Sequence, residues 1–473
     1  MHGKKMNDCN AGSCPGSAKT GVKLLCRAIS LAMLLLPAAV AEAAEKLSLS
    51  DAYSYALHYD AQVKSAEADR DVSKEEVSKA VSQFLPSVRA SASRGRSRTE
   101  STTPNSSFPG YYNHSLQYYT TISNGLTLKQ SLFNLQNIVT LKQARAVEAK
   151  SESILVNEHS ALIVRTAEAF FNALFSEDNL EYTRAQSRAA HEQLLQSKRR
   201  LASGFGTVTE VSEAQANYDM SIADEASAIS GLDFSRRELE RITGIYSDHL
   251  CRLSPAKIEL KAPQPGDPDA WLALAHEKSP RLDASRYEVE IARKEIDKTR
   301  SSRYPQLELW AGRNYSQSET NYTIGSIYDT WSVSLQVSVP LYTGGYTSAS
   351  VRQASARRMK AVDEMASQER SIVSDIRKYF NAQMNNIVQV KAYEQAVRSN
   401  EVALEGTKKG FSAGFRTNTD VLEAQKKLLD SRRQLAKSRY QYLMSSLLLK
   451  HSAGILRAED LEAVNDYLEI TET

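Results

Sequence analysis

The chain has 473 residues, 41% hydrophobic and 24% charged, with a formal net charge of +3 at pH 7. Its mean hydropathy of −0.44, with a single apolar run near the N-terminus, excludes a bundle of transmembrane helices and leaves strands as the membrane-crossing device. The eight histidines form no His-x-x-x-His pair, and there is no P-loop and no G-x-S-x-G turn, so neither an enzyme nor a cofactor is expected.

Lys4, Lys5, Lys19, Lys23 and Arg27 precede or enter the apolar run 29–40, which ends in Ala39-Val40-Ala41-Glu42-Ala43-Ala44. A basic start, a short apolar centre and an A-x-A exit read as a secretory signal peptide over 1–44. The run falls short of the roughly 20 residues a membrane-crossing helix needs. Removing it takes five basic and two acidic residues from totals of 59 and 56, leaving 54 of each. The pI of 8.4 is therefore a property of the leader and implies no nucleic-acid partner. Cys9, Cys14 and Cys26 leave with it, so Cys251 stands alone and no internal disulfide is expected. Cys26 follows Leu24-Leu25 rather than a small residue, which argues against a lipid anchor.

Beyond the leader the chain is a tandem duplication. Ala169-Phe170-Phe171-Asn172-Ala173 returns as Lys378-Tyr379-Phe380-Asn381-Ala382, and Gly204-Phe205-Gly206-Thr207 returns as Gly414-Phe415-Arg416-Thr417. Ser131-Leu132-Phe133 matches Pro340-Leu341-Tyr342, and Pro86 matches Pro305. The expected boundaries are a first repeat over 45–245, a linker over 246–270 that includes the Pro-rich 262–268, a second repeat over 271–455 and a tail over 456–473. Each repeat reads helix, two strands, long helix, second helix.

In the first repeat one helix is expected over 50–84, stopped by Pro86. Strands are expected over 87–98 and 115–133, with a loop at 102–114. In the second repeat strands are expected over 306–316 and 330–341, with a loop holding Asn321, Gly325 and Asp329. The last strand alternates Trp331, Val333, Leu335, Val337 and Val339 with Ser332, Ser334, Gln336 and Ser338. That pattern suits a sheet between lipid and a wet lumen, and equally a half-buried strand of a soluble sandwich. Tyr111, Tyr112, Tyr118, Tyr119, Trp310, Tyr315, Tyr322, Tyr328 and Trp331 crowd the strand ends and favour an interfacial girdle.

The helices carry 3-4 seams. One reads Val373, Ile376, Phe380, Gln383, Ile387, Val390, Glu394, Val397; another reads Val421, Ala424, Leu428, Ser431, Leu435, Ser438, Tyr442, Ser445, Leu449. Such stripes let long helices lie side by side. The segment 135–201, if wholly helical, would be on the order of 100 Å long. Four strands cannot close a transmembrane barrel, which needs about eight at least, and open edges are not tolerated in lipid. Two or three copies must therefore pool their strands.

The two helix–turn–helix elements repeat a capping pattern, Thr207 with Glu210 and Thr417 with Asp420. Helix capping alone would account for both acids.

Several stretches together resemble the TolC family of outer-membrane efflux and export channels. These are Val63-Lys64-Ser65-Ala66-Glu67-Ala68 leading to Phe84-Leu85-Pro86, then Arg416-Thr417-Asn418-Thr419-Asp420-Val421-Leu422-Glu423-Ala424, then Ala436-Lys437-Ser438-Arg439-Tyr440-Gln441-Tyr442-Leu443. The resemblance spans about 47–461. It implies a mainly α protein with membrane β: a homotrimer with a 12-stranded outer-membrane barrel, and a helical barrel through the periplasm. A mixed belt would be built from the linker and the tail. The implied partners are outer-membrane lipid, a periplasmic adaptor (membrane fusion) protein and an inner-membrane RND or ABC transporter. The implied function is an exit duct for drug efflux or type I protein secretion that opens at its periplasmic tip. The rival is a passive coiled-coil spacer of the envelope.

The same resemblance places Asp420 and Glu423 as a selectivity ring. It places Arg416 as a gating latch with Glu210 and Thr209 as partners. Phe411 stands where the family carries a tyrosine, which removes one latch hydrogen bond. Repulsion within a threefold ring of acids would raise some of their pKa values. Read without the resemblance, Arg416 merely caps a loop.

Overall fold

A computed structural model describes residues 46–320 and 323–469, without the side chains of 319, 320 and 323–325. The chain divides into two units, Met1–Lys46 and Leu47–Thr473. Only Lys46 of the first is described, so the expected signal peptide, its cysteines and its cleavage point lie outside the described residues, as do Asn321 and Tyr322.

In the second unit, helices α1 (Leu49–Tyr59) and α2 (Ala61–Ser82) lead into strands β1 (Ser87–Pro104) and β2 (Tyr112–Phe133). Helices α3 (Leu135–Ala202) and α4 (Val208–Thr243) complete the first repeat. The second follows the same order: α5 (Pro268–Lys278), α6 (Pro280–Ser301), β3 (Gln306–Thr320), β4 (Thr323–Ser338), α7 (Tyr346–Ser412) and α8 (Asn418–Ser452), then α9 (Ala458–Asn465). At 68 residues, α3 is on the order of 100 Å long. No helix among the described residues is long and apolar enough to cross a membrane.

The expected single opening helix is two. Asp60 interrupts it: its Oδ1 accepts from the N–H groups of Gln62 and Val63 at 2.9 Å each, starting a new helix. Arg165 of α3 pairs with the same carboxylate at 3.1 Å, which fixes the break against the long helix. In the second repeat Ser279 followed by Pro280 makes the same break, with proline in the first turn.

Seams meet as expected. Ile376, Phe380, Gln383 and Val390 are buried on α7, and Val421, Leu428, Leu435, Ser438, Tyr442, Ser445 and Leu449 on α8. Arg439 of α8 reaches Glu394 of α7 at 2.9 Å, across the same seam. Small residues alternating with large ones let these helices approach closely over their whole length. The largest core lies midway along them, around Phe170, Phe171, Leu174, Leu443 and Leu447. The tail closes over it through a bridge between Leu253 and Leu468, while Leu47 pairs with Leu250.

The strands form one antiparallel sheet in the order β1-β2-β3-β4. They are longer at their far ends than expected. The β1–β2 ladder continues to Pro104 opposite Tyr112, and β3 runs to Thr320. Asp329, expected in a loop, is in β4, where both its oxygens accept from Arg313 at 2.9 and 2.6 Å. At its near end β4 stops at Ser338 rather than at 341, because Pro340 has no N–H to donate to a ladder.

Register sorts the side chains onto two faces. Val88, Ala90, Leu126, Leu128, Leu307, Leu309, Val333, Leu335 and Val337 share one; Ser91, Ser93, Ser123, Thr127, Asn314, Ser332, Ser334 and Gln336 share the other. Trp331, Tyr315 and Tyr118 belong to the apolar face. Trp310, Tyr119 and Tyr328 fall on the polar one, against the expectation of a common girdle. Trp310 there lies under Lys129, whose Nζ is 4.8 Å from the ring centroid and pairs with Glu308 at 2.9 Å.

Candidate functional site

Both expected turns sit at the ends of the helices farthest from the sheet. In the first, α3 ends through Gly204 at φ +79°, and Phe205 donates its N–H back to Arg200 O at 3.0 Å. Thr207 then caps α4: its hydroxyl accepts from Glu210 N–H at 3.2 Å, and the Glu210 carboxylate accepts from Thr207 N–H at 3.5 Å. The second turn repeats this chemistry. Gly414 has φ +81°, Phe415 N–H donates to Gly410 O at 2.9 Å, and Thr417 and Asp420 close a second capping box.

The repeats differ in where they keep an arginine. Turn one has Arg200 and Gly206; turn two has Gly410 and Arg416 at the matching places. A Cβ on Gly206 would lie 2.8 Å from Leu201 N, and one on Gly410 would lie 2.9 Å from Arg416 Cγ. Backbone thus excludes a side chain at 206 in turn one and the Arg416 side chain excludes one at 410 in turn two, and the two repeats keep their arginine on opposite limbs.

Of the expected latch residues, Arg416 and Thr209 are exposed at the tip. Glu210 is engaged in its own cap, and within the described residues of one chain Arg416 makes no ion pair with Glu210 and no hydrogen bond with Thr209. The charge of Arg416 acts instead on Asp420. The backbone N–H and the hydroxyl of Thr417, joined by that guanidinium, hold the Asp420 carboxyl below the usual aspartate value. Within one chain the cap therefore opposes the upward shift expected of a ring. Glu423 is exposed and lines a cleft of about 450 Å³ between α3, α4 and α8, with Tyr182, Gln186, Lys426, Lys427 and Arg433.

Phe411 packs beside Leu404, Val421 and Leu428. Its ring lies 5.5 Å from the guanidinium carbon of Arg200. A second contact ties the same helices: Asn418 Nδ2 donates to Ser197 Oγ at 3.0 Å, and Ser197 is 1% exposed. Both contacts join the first repeat's long helix to the second repeat's turn. Neither was expected, because the partners are over 200 residues apart; the one visible signal was the missing hydroxyl of Phe411.

Midway along the helices, a polar cluster binds the linker to the bundle. Tyr440 O–H donates to Asp178 at 2.8 Å, and Arg252 of the linker pairs with Glu177 and Glu181 at 3.1 and 3.0 Å. Burial raises the Asp178 carboxyl above the usual aspartate value, against the opposing effects of Tyr440 and Arg252. Tyr442 accepts at its hydroxyl from Lys261 N–H at 2.8 Å.

The family described as outer membrane efflux protein matches residues 52–245 and 271–454. The alkaline protease secretion protein AprF of Pseudomonas aeruginosa is 32% identical over 425 residues, covering 89% of this chain and 88% of its own. The outer membrane protein TolC of Vibrio cholerae is 32% identical over 446 residues, covering 92% and 99%. Among solved structures, the Campylobacter jejuni CmeC outer membrane channel shares the fold with a TM-score of 0.73 at 16% identity, covering 89% of this chain and 90% of that one. The outer membrane protein VceC from Vibrio cholerae shares it with a TM-score of 0.69 at 21% identity, covering 86% and 96%.

Proposed function

The chain belongs to the outer membrane efflux protein family, and we propose that three copies of it close one continuous tube. It is an exit duct of the outer membrane that extends into the periplasm. In the proposed trimer each copy gives four strands to a 12-stranded barrel and its long helices to a periplasmic barrel. The reading divides the chain into repeats at 45–245 and 271–455, joined by 246–270, with 456–473 as part of a belt.

The observation that carries this is the sheet. It has one apolar and one polar face, and its outer strands β1 and β4 pair with no further strand among the described residues. Such edges are not tolerated in lipid, so β1 of one copy must meet β4 of the next. The passive-spacer alternative gives these strands no role.

At the tip, Asp420 and Glu423 form the selectivity ring in this reading. Arg416 is the latch, meeting Glu210 and Thr209 of a neighbouring copy rather than of its own. Phe411 holds the closed state through Arg200. A periplasmic adaptor and an inner-membrane RND or ABC transporter load the tube, which catalyses nothing. The cargo is drugs, secreted proteins, or both, as the names of the relatives suggest.

A deletion strain tests cargo directly. Increased drug susceptibility or loss of secreted protein supports the duct, and a strain with neither would contradict it.

A further inference from the structure

We infer that the apolar face of the sheet carries a binding site for phosphate-bearing lipid headgroups, made by Arg94, Arg96 and Arg98 of β1. The inference rests on the outer-membrane duct reading above, which makes this the lipid-facing side.

The placement follows from counting along the strands. Val88, Ala90 and Ala92 occupy the apolar face one, three and five residues in from the helix-proximal end of β1. Leu307, Leu309 and Ala311 do so on β3, and Val337, Leu335 and Val333 on β4. Seven residues in, the face changes character on these three strands, to Arg94, Arg313 and Trp331, while β2 keeps Leu126 at that depth and sets Ile122 opposite Arg94. Nine in, it carries Arg96, Tyr315 and Asp329. The aliphatic band thus ends in an aromatic and cationic belt on the side away from the helices, which is the outer leaflet of the membrane.

Three of the four arginines on the described part of this face, Arg94, Arg96 and Arg98, are in no ion pair among the described residues. Arg313 is satisfied by Asp329 in a bidentate pair and lies over Trp331, 5.1 Å from its centroid. The guanidiniums of Arg94, Arg96 and Arg98 are exposed and make no ion pair or side-chain hydrogen bond among the described residues. Among the described side chains of this face, four arginines meet only two carboxylates, Asp329 and Glu100. Closure of the barrel does not cure the imbalance. The β4 strand arriving beside β1 brings Asp329, already engaged, with Ile327 and Trp331 on either side of it.

The chemistry points to phosphate. Residues two apart on one strand face lie about 7 Å apart, so the three guanidiniums span on the order of 13 Å. Guanidinium binds phosphate through paired N–H donors, and it does so most strongly where water is depleted, at the edge of an apolar surface. An anionic lipid whose chains lie on the aliphatic band would bring its headgroup phosphates to this ladder.

The test uses the purified full chain in detergent with a chelator present, so that divalent cations cannot bridge. Lipopolysaccharide and its dephosphorylated form are titrated, and bound lipid is counted by native mass spectrometry. The wild type is expected to bind the phosphorylated form at least about tenfold more tightly. The triple variant R94Q/R96Q/R98Q should lose that preference, and R94K/R96K/R98K should recover part of it. A triple glutamine variant that keeps the preference, or a wild type that binds both forms equally, overturns the site. Conductance in neutral-lipid bilayers is measured on the same samples. Normal conductance without phosphate preference overturns this inference alone; absent wild-type conductance overturns the duct reading and the inference together.

Discussion

The guanidinium of Arg200 stacks over the ring of Phe411 at 5.5 Å, joining the end of α3 to the end of α7 at the far tip of the molecule. A cation–π contact at an exposed site contributes about 0.5–1 kcal/mol. Phe411→Leu keeps the apolar packing and removes the ring's charge distribution. Its expected effect is a higher open probability in planar bilayers, by roughly twofold to fivefold. Arg200→Gln should do the same, and the two changes together should add little to either alone. Fully additive effects would show that the pair does not act as one contact.

Arg416→Ser is expected to raise single-channel conductance. The side chain is exposed and makes no ion pair with Glu210 and no hydrogen bond with Thr209 of its own chain, so in the proposed latch its partner comes from a neighbouring copy. A conductance equal to that of the wild type would remove Arg416 from the latch.

Asp420 caps its helix through Thr417 as well as carrying charge, so alanine would change two things together. Asp420→Asn with Glu423→Gln keeps an oxygen acceptor at the cap and removes only the charges. Block of the channel by divalent or trivalent cations should then disappear. Block persisting at the wild-type concentration would place the ring elsewhere along the tube.

His451 of α8 is half-buried and meets Ser160 of α3 at 3.2 Å. Burial pushes its pKa below the ordinary 6.5; Arg281 and Arg165 push the same way, while Glu158 and Asp375 oppose. The unfolded chain therefore takes up a proton first as pH falls. Stability is present above 6.5 and is lost from there downward, toward the lowered folded value. His451→Gln should flatten the fall in Tm between about pH 7 and about pH 5. An equally steep fall in the variant would exclude this residue as a source of the slope.

The two faces of β4 should answer differently to charge. Leu335→Arg, on the aliphatic band, is expected to cost about 2–4 kcal/mol and to reduce the heat-resistant assembled form. Ser334→Arg, one residue away on the polar face, should assemble normally and change conductance. Equal assembly defects would mean that the faces have been assigned wrongly.

Much of this was written in the primary sequence, because periodicity is a local property. The duplicated turns, the α8 stripe from Val421 to Leu449 and the alternation from Trp331 to Val339 are all visible in short windows. The break at Asp60 was not, since neither glycine nor proline marks it and Arg165, which fixes the carboxylate, is 105 residues away. Trp310 and Trp331 look alike as aromatics near strand ends; only register shows that one faces the polar side. The Arg200–Phe411 and Asn418–Ser197 contacts depend on how the two repeats pack, which no window of sequence contains. The outward ladder of Arg94, Arg96 and Arg98 was hidden for a related reason, because β1 has no apolar run long enough to declare its face.

The closed barrel depends on β1 of one copy meeting β4 of another. The mass of the detergent-solubilised complex, measured by native mass spectrometry, tests this most directly. The expected result is three copies of the chain in a single resolved species, closing 12 strands without an edge. A stable monomer or dimer that still conducts ions across a bilayer would contradict it.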